Sequence, residues 1–308
     1  MNPIIKICLL FLFICMSCQK IVVTSAYETR GMPSDSIMVP RPDHIVLVVE
    51  ENHGYYQVVG SHNAPYINEL IKSAAVFTNS HGIAHPSQPN YLALFSGNIQ
   101  GVKNDDCLQN THLTTANLGA SLLQNNFTFK GYAETVPSDD YPGCEYKISV
   151  ITNNYLYARK HVPWVNWLGN QKNNLPDSIS LSMSNFPADF NQLPTVSFVI
   201  PDMDNDMHNA GKAGENAAIK RGDSWLKNNL GNYIKWAQQH NSLFILTFDE
   251  DDFKKNNHIL TLFTGLMVKP GKYSEKINHY NIFNTIEGMY GLLTDSTKSD
   301  TIIRDSWN

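Results

Sequence analysis

Three short apolar runs in this chain each end in acid, and that repeated junction narrows the possible folds more than any other feature. HIVLVV (44–49) runs into Glu50, Glu51, Asn52 and His53. TVSFVI (195–200) is followed by Pro201 and DMDNDMHN, and SLFILTF (242–248) by Asp249, Glu250, Asp251 and Asp252. Amphipathic stretches such as APYINELIKSA and SWLKNNLGNYIKWAQQ lie between the runs, and ILTLFTGLMV (259–268) is one run more. This alternation predicts an α/β fold, a mostly parallel central sheet with helices on both faces.

Ligands of such sheets sit beyond the carboxyl ends of the strands, where the three acidic junctions would meet. Any one of them alone reads as a solvated loop. Carboxylates converging on one edge raise each other's pKa unless a cation sits among them, so three together point to metal. The ligand set Glu51, Asp249 and Glu250, with Asn52 and a serine hydroxyl, is rich in oxygen. It suits Ca²⁺, Mg²⁺ or Mn²⁺ at least as well as Zn²⁺, with at least one ion expected.

The serine is Ser87, in AHPSQPNYLALFSG (84–97). Pro86 and Pro89 restrict the backbone around it, and NYLALFSG has helical spacing closed by Gly97, which puts Ser87 at a helix N-terminus. Its bland reading is a cap. Its chemical reading is a nucleophile activated by a metal. His208 could serve a leaving group or a phosphate oxygen, with Asp206 orienting it or holding a second ion. His258 is a possible supporting ligand, while His161, in RKHVPW, reads as structural.

The 308 residues carry a net charge of -5, which gives no electrostatic reason to expect a nucleic-acid partner. Residues 1–17 have the shape of a signal peptide, and Ser17-Cys18 resembles a lipoprotein junction, so residues 18–42 become a lipidated cysteine and tether. Export to a bacterial envelope, membrane-anchored through Cys18 or else secreted, is the expectation. The domain then spans 43–308, with an elaborated insertion at 105–185. Cys107 and Cys144 are the cysteines left, and in an oxidising compartment they allow one disulfide, the alternative being two buried thiols.

As a set, EENHGYYQVVG, HPSQPNYLALFSG, PDMDNDMHN, GDSWL, LTFDEDD and HYNIFNTIEGMYGLL resemble the phosphoesterase family of bacterial acid phosphatases and phospholipase C enzymes, within the alkaline-phosphatase superfamily. The resemblance covers about residues 43–293. It implies a three-layer alkaline-phosphatase-like fold, with Ser87 as nucleophile and metal ligand. Glu51 and Asn52 become metal and phosphate residues, Asp249 and Glu250 the remaining metal ligands, and His208 acts at the phosphate or leaving group. His85 and Asn90 shape the phosphate pocket, and Asp206 supports His208. Glu250 stands where the superfamily's usual Asp-His pair has a histidine.

The expected activity is metal-dependent phosphomonoester hydrolysis through a phosphoserine, acting on a small-molecule or lipid phosphate. Protonated His85 and His208 would suit a mildly acidic optimum. One alternative is a phospholipase C-type phosphodiesterase, whose extra alcohol Trp164 and Trp167 would accommodate. Another is a non-catalytic Ca²⁺-binding surface lipoprotein. Oligomeric state is not legible.

Overall fold

The computed structural model describes residues 39–109, 112–169, 172–293 and 301–308. The leader, Cys18 and the tether as far as residue 38 lie outside the described residues. In chain order the strands are β1 (His44–Glu50), β2 (Ala75–His81), β3 (Phe129–Ala133), β4 (Glu145–Ile148), β5 (Tyr155–Ala158), β6 (Ser180–Ser182), β7 (Val196–Ile200), β8 (Ser242–Phe248), β9 (His258–Thr264), β10 (Gly271–Tyr273) and β11 (Ile277–Asn278). The helices are α1 (Tyr55–Val58), α2 (Pro65–Leu70), α3 (Ser87–Ser96), α4 (Leu118–Gln124), α5 (Glu215–Ala237) and α6 (His279–Met289).

The three acid-ended runs become β1, β7 and β8, side by side and parallel, in a sheet of order β10-β2-β9-β8-β1-β7-β3-β6, with β11 also on β2. Their ends are stitched together past the strands: Asp249 N–H donates to the Glu50 carbonyl at 3.0 Å, and Glu51 N–H to the Asp206 carbonyl at 2.8 Å. The sheet is mixed, because β9 runs antiparallel to both β8 and β2. Strand β2 was not anticipated, since AVFTNSH starts apolar and turns polar at once.

Side chains alternate across a strand, so β1 serves two cores. Ile45, Leu47 and Val49 pack on the side of α3, α4 and α6, whereas Val46 and Val48 pack on the side of α2 and α5. The same alternation separates two consecutive glutamates. Glu51 continues the α3 side, and Glu50 falls on the α5 side, where burial and then Asp223 of α5 push its carboxyl well above the usual range.

The 105–185 segment supplies β3 and β6 to the central sheet and keeps β4 and β5 as a separate antiparallel hairpin. Cys107 and Cys144 form a disulfide with Cα atoms 5.8 Å apart. Trp164 and Trp167 are not free to accommodate the extra alcohol of a diester. Both are fully buried, with indole N–H groups donating to Ser180 Oγ and the Thr115 carbonyl, and Trp164 fills the space left by the missing side chain of Gly131.

Candidate active site

Ser87 is the first residue of α3, a helix buried on every side between the sheet and its neighbours. Such a helix needs no polar face, which is why LALF runs unbroken. Gly97 ends it in the left-handed conformation, φ 63°. The Ser87 hydroxyl reaches Glu51 Oε2 at 3.2 Å and Glu250 Oε1 at 3.4 Å. The Asn90 carboxamide, expected at the phosphate, is taken up by the loop backbone: its Oδ1 accepts from the N–H groups of Ile83 and Ala84, and its amide donates to the carbonyls of Ala84 and Pro86. It fixes the loop that carries His85 and Ser87.

Asn52, at φ 55°, kinks the chain just after Glu51 and donates its backbone N–H to Asp249 Oδ1 at 3.0 Å. A short polar side chain tolerates that left-handed backbone. On the other flank, His85 Nδ1 meets Glu250 Oε2 at 2.5 Å, His85 Nε2 lies 3.4 Å from Asp251, and Phe253 stacks on the imidazole. The structure therefore draws Glu51, Asn52, His85, Ser87, Asp249 and Glu250 into one cluster.

Glu51 presents its second oxygen to a different set of groups. Tyr91 Oη donates to Oε1 at 2.6 Å, and His161 Nε2 lies 3.1 Å from the same atom. The Tyr91 ring stacks on His161, whose Nδ1 faces Asp206 Oδ2 at 3.5 Å. Asp206 Oδ1 in turn accepts the backbone N–H of His208 at 2.8 Å, so it holds the His208 main chain and not its ring. Glu51, His161 and His208 offer three ligand atoms within 4.8 Å of one another. His161 is thus not merely structural but belongs to this group. It follows β5, a strand of four residues, so the strand-end rule that found the acidic loops had too short a run to act on.

His258 stands outside both groups: its Nε2 bonds to the Thr78 carbonyl, and its ring stacks on Tyr55 and His81.

Burial dominates the electrostatics. It pushes Glu51 up, helped by Asp249 and Asp206, and pushes Glu250 up, helped by Asp249; Asp249 and Asp206 shift the same way for the same first cause. Burial and then Lys160 bring His208 down to about 4 and hold His161 well below the usual histidine range, and burial lowers His85 as well. The lowering favours the neutral, ligating form of these imidazoles over the protonated His85 and His208 that a mildly acidic optimum would use. Asp249 Oδ2 and Asp206 Oδ2 are buried without a hydrogen-bond partner. Crowded carboxylates, neutral imidazoles and orphaned acceptors are the donor set that a divalent cation satisfies.

A cavity of about 350 Å³ opens beside the cluster, its wall including His208, Lys160, Asp105, Tyr155 and the disulfide. Lys160 Nζ pairs with Asp105 at 2.6 Å. Burial opposes its charge, but Glu51 and Asp105 outweigh that and keep its pKa raised.

The family model described as the phosphoesterase family matches residues 61–293. The chain belongs to that family. Among relatives, this phosphoesterase is 43% identical over 82% of its length to a phosphatidylinositol-3-phosphatase of Mycobacterium tuberculosis, covering 79% of that protein. It is 28% identical over 79% of its length to an acid phosphatase of Aspergillus fumigatus, where it spans 53% of the longer chain. An alkaline-phosphatase-superfamily protein from Vibrio parahaemolyticus shares the fold, with a TM-score of 0.55 at 15% identity over 83% of this chain and 68% of that one. The phosphoesterase is thus a phosphoric ester hydrolase with the three-layer fold of that superfamily.

Proposed function

We propose that this phosphoesterase is a divalent-metal-dependent phosphomonoesterase working through a phosphoserine at Ser87. One observation carries the reading: the Ser87 hydroxyl lies at a helix start within reach of two buried carboxylates, Glu51 and Glu250. A serine at its ordinary pKa is a weak nucleophile, and here either carboxylate can take its proton. Glu51, Asn52, Ser87, Asp249 and Glu250 would hold an ion, and Glu51, His161 and His208 give a mixed oxygen and nitrogen set for a second. When bound, a divalent ion lowers the pKa of the hydroxyl and offsets charge on the phosphoryl oxygens.

Ser87 Oγ bonds to phosphorus as the bond to the ester oxygen breaks. The alkoxide leaves towards the cavity whose wall includes His208 and takes its proton from water. Water then cleaves the phosphoserine and returns the hydroxyl.

The Mycobacterium relative's name specifies a monoester on a lipid headgroup, and we extend that class, a polyol or lipid monoester, to this chain. Burial of Trp164 and Trp167 removes the feature that favoured a diester. Export, with an anchor at Cys18, is part of the proposal and fits the disulfide. The test is release of nitrophenol from p-nitrophenyl phosphate by wild type, chelated wild type and Ser87→Ala. Turnover that survives both the chelator and the substitution would remove the reading.

A further inference from the structure

Lys160 has no part in the reaction as set out above, yet it places a positive charge where the cluster meets the cavity. It sits in the turn after β5, between two residues committed elsewhere. The Arg159 guanidinium is engaged by Asn166 and the carbonyls of Pro142 and Val165, and His161 turns inward to Glu51. The Lys160 side chain is 18% exposed and faces the cavity together with His208.

Its partner fixes its position relative to the nucleophile. Asp105 accepts from Lys160 Nζ with one oxygen, and with the other accepts the backbone N–H of Gln88, the residue after Ser87, at 2.9 Å. One carboxylate thereby ties the ammonium to the start of α3. A salt bridge serving only stability would need no outlet to the cavity and no link to the serine helix.

A phosphomonoester carries close to two negative charges at neutral pH, its second pKa being about 6, whereas a diester carries one. A cation beside the phosphoryl site therefore stabilises the monoester more. We propose that Lys160, positioned by Asp105, contacts a terminal phosphoryl oxygen and selects monoester dianions over diester monoanions. The proposal rests on the reading of Ser87 as the nucleophile of a phosphomonoesterase.

The experiment compares wild type, Lys160→Met and Lys160→Arg on p-nitrophenyl phosphate and on bis(p-nitrophenyl) phosphate, with bound metal and melting temperature measured for each. Loss of one charged donor at a transition state typically costs about 100-fold. Lys160→Met is expected to lose about that factor in kcat/KM on the monoester while its diester rate stays within about 3-fold. Inhibition by inorganic phosphate should weaken about tenfold, and Lys160→Arg should recover most of both. Equal losses on the two esters, or no loss on either, would overturn the proposal with wild-type turnover intact. A wild type inactive on both esters would instead overturn the underlying function.

Discussion

Ser87 and Glu51 stand 36 residues apart in the chain and 3.2 Å apart in space. Two unrelated pieces of local structure make that contact. The chain after β1 is pinned by Asp206 and by the Asn52 kink, and the chain before α3 is pinned by the Asn90 carboxamide. Neither residue reaches the other through flexible loop, so the hydroxyl is held before any substrate arrives.

Glu51→Gln should change the sign of its effect with metal. Without metal, removing one buried charge from a crowded cluster relieves repulsion, and the variant should be more stable than wild type by about 1–2 kcal/mol. With metal in excess, wild type gains the binding free energy, about 3–4 kcal/mol at a hundred- to a thousandfold over Kd, and the order should reverse. Urea melts with and without chelator read this out. The same order under both conditions would contradict it.

Acid should weaken the fold through His279, the first residue of α6. It is buried, with Nε2 bonded to the Phe248 carbonyl at the end of β8, and burial lowers it to about 4. The unfolded histidine takes a proton below its ordinary pKa of about 6.5, and the folded one does not until about 4. Its contribution is therefore full above pH 6.5 and fades as pH falls from there towards 4, by up to about 3 kcal/mol. His279→Gln should flatten the stability profile in that window relative to wild type. Parallel profiles would argue against it.

Reduction of Cys107–Cys144 should cost about 4 kcal/mol, from reopening a 37-residue separation in the unfolded chain. It should also raise KM, because both half-cystines line the cavity. Measuring melting temperature and KM on Cys107→Ser/Cys144→Ser separates the two effects. An unchanged KM would show that the cavity wall does not depend on the bond.

Gly131→Ala should destabilise the fold by about 2–3 kcal/mol, since a Cβ there would lie 2.1 Å from Trp164, whose ring is packed on all sides. Chemical denaturation checks this. A loss below about 0.5 kcal/mol would mean that the ring shifts freely.

The strands that set the site were legible because β1, β7 and β8 are buried on both faces and so written as continuous apolar runs. Their acidic ends, and Ser87 between two prolines, were legible for the same local reason. The carboxamide of Asn90 looked chemical in the sequence, but the loop backbone consumes it. What escaped depends on distant pairing. His161 and Lys160 follow the short strand β5, Tyr91 is an ordinary aromatic until its hydroxyl meets Glu51, and β2 acquires its place from β9. Strand alternation puts Glu50 and Glu51 on opposite faces, but which face α3 occupies is set by the packing.

The covalent step can be observed directly. Wild type mixed with p-nitrophenyl phosphate and the metal, quenched in acid during turnover and digested, should yield the Ser87 peptide carrying one phosphoryl group, with no label after chelation or in Ser87→Ala. Steady turnover with Ser87 unlabelled at every quench time, and undiminished in Ser87→Ala, would contradict the account.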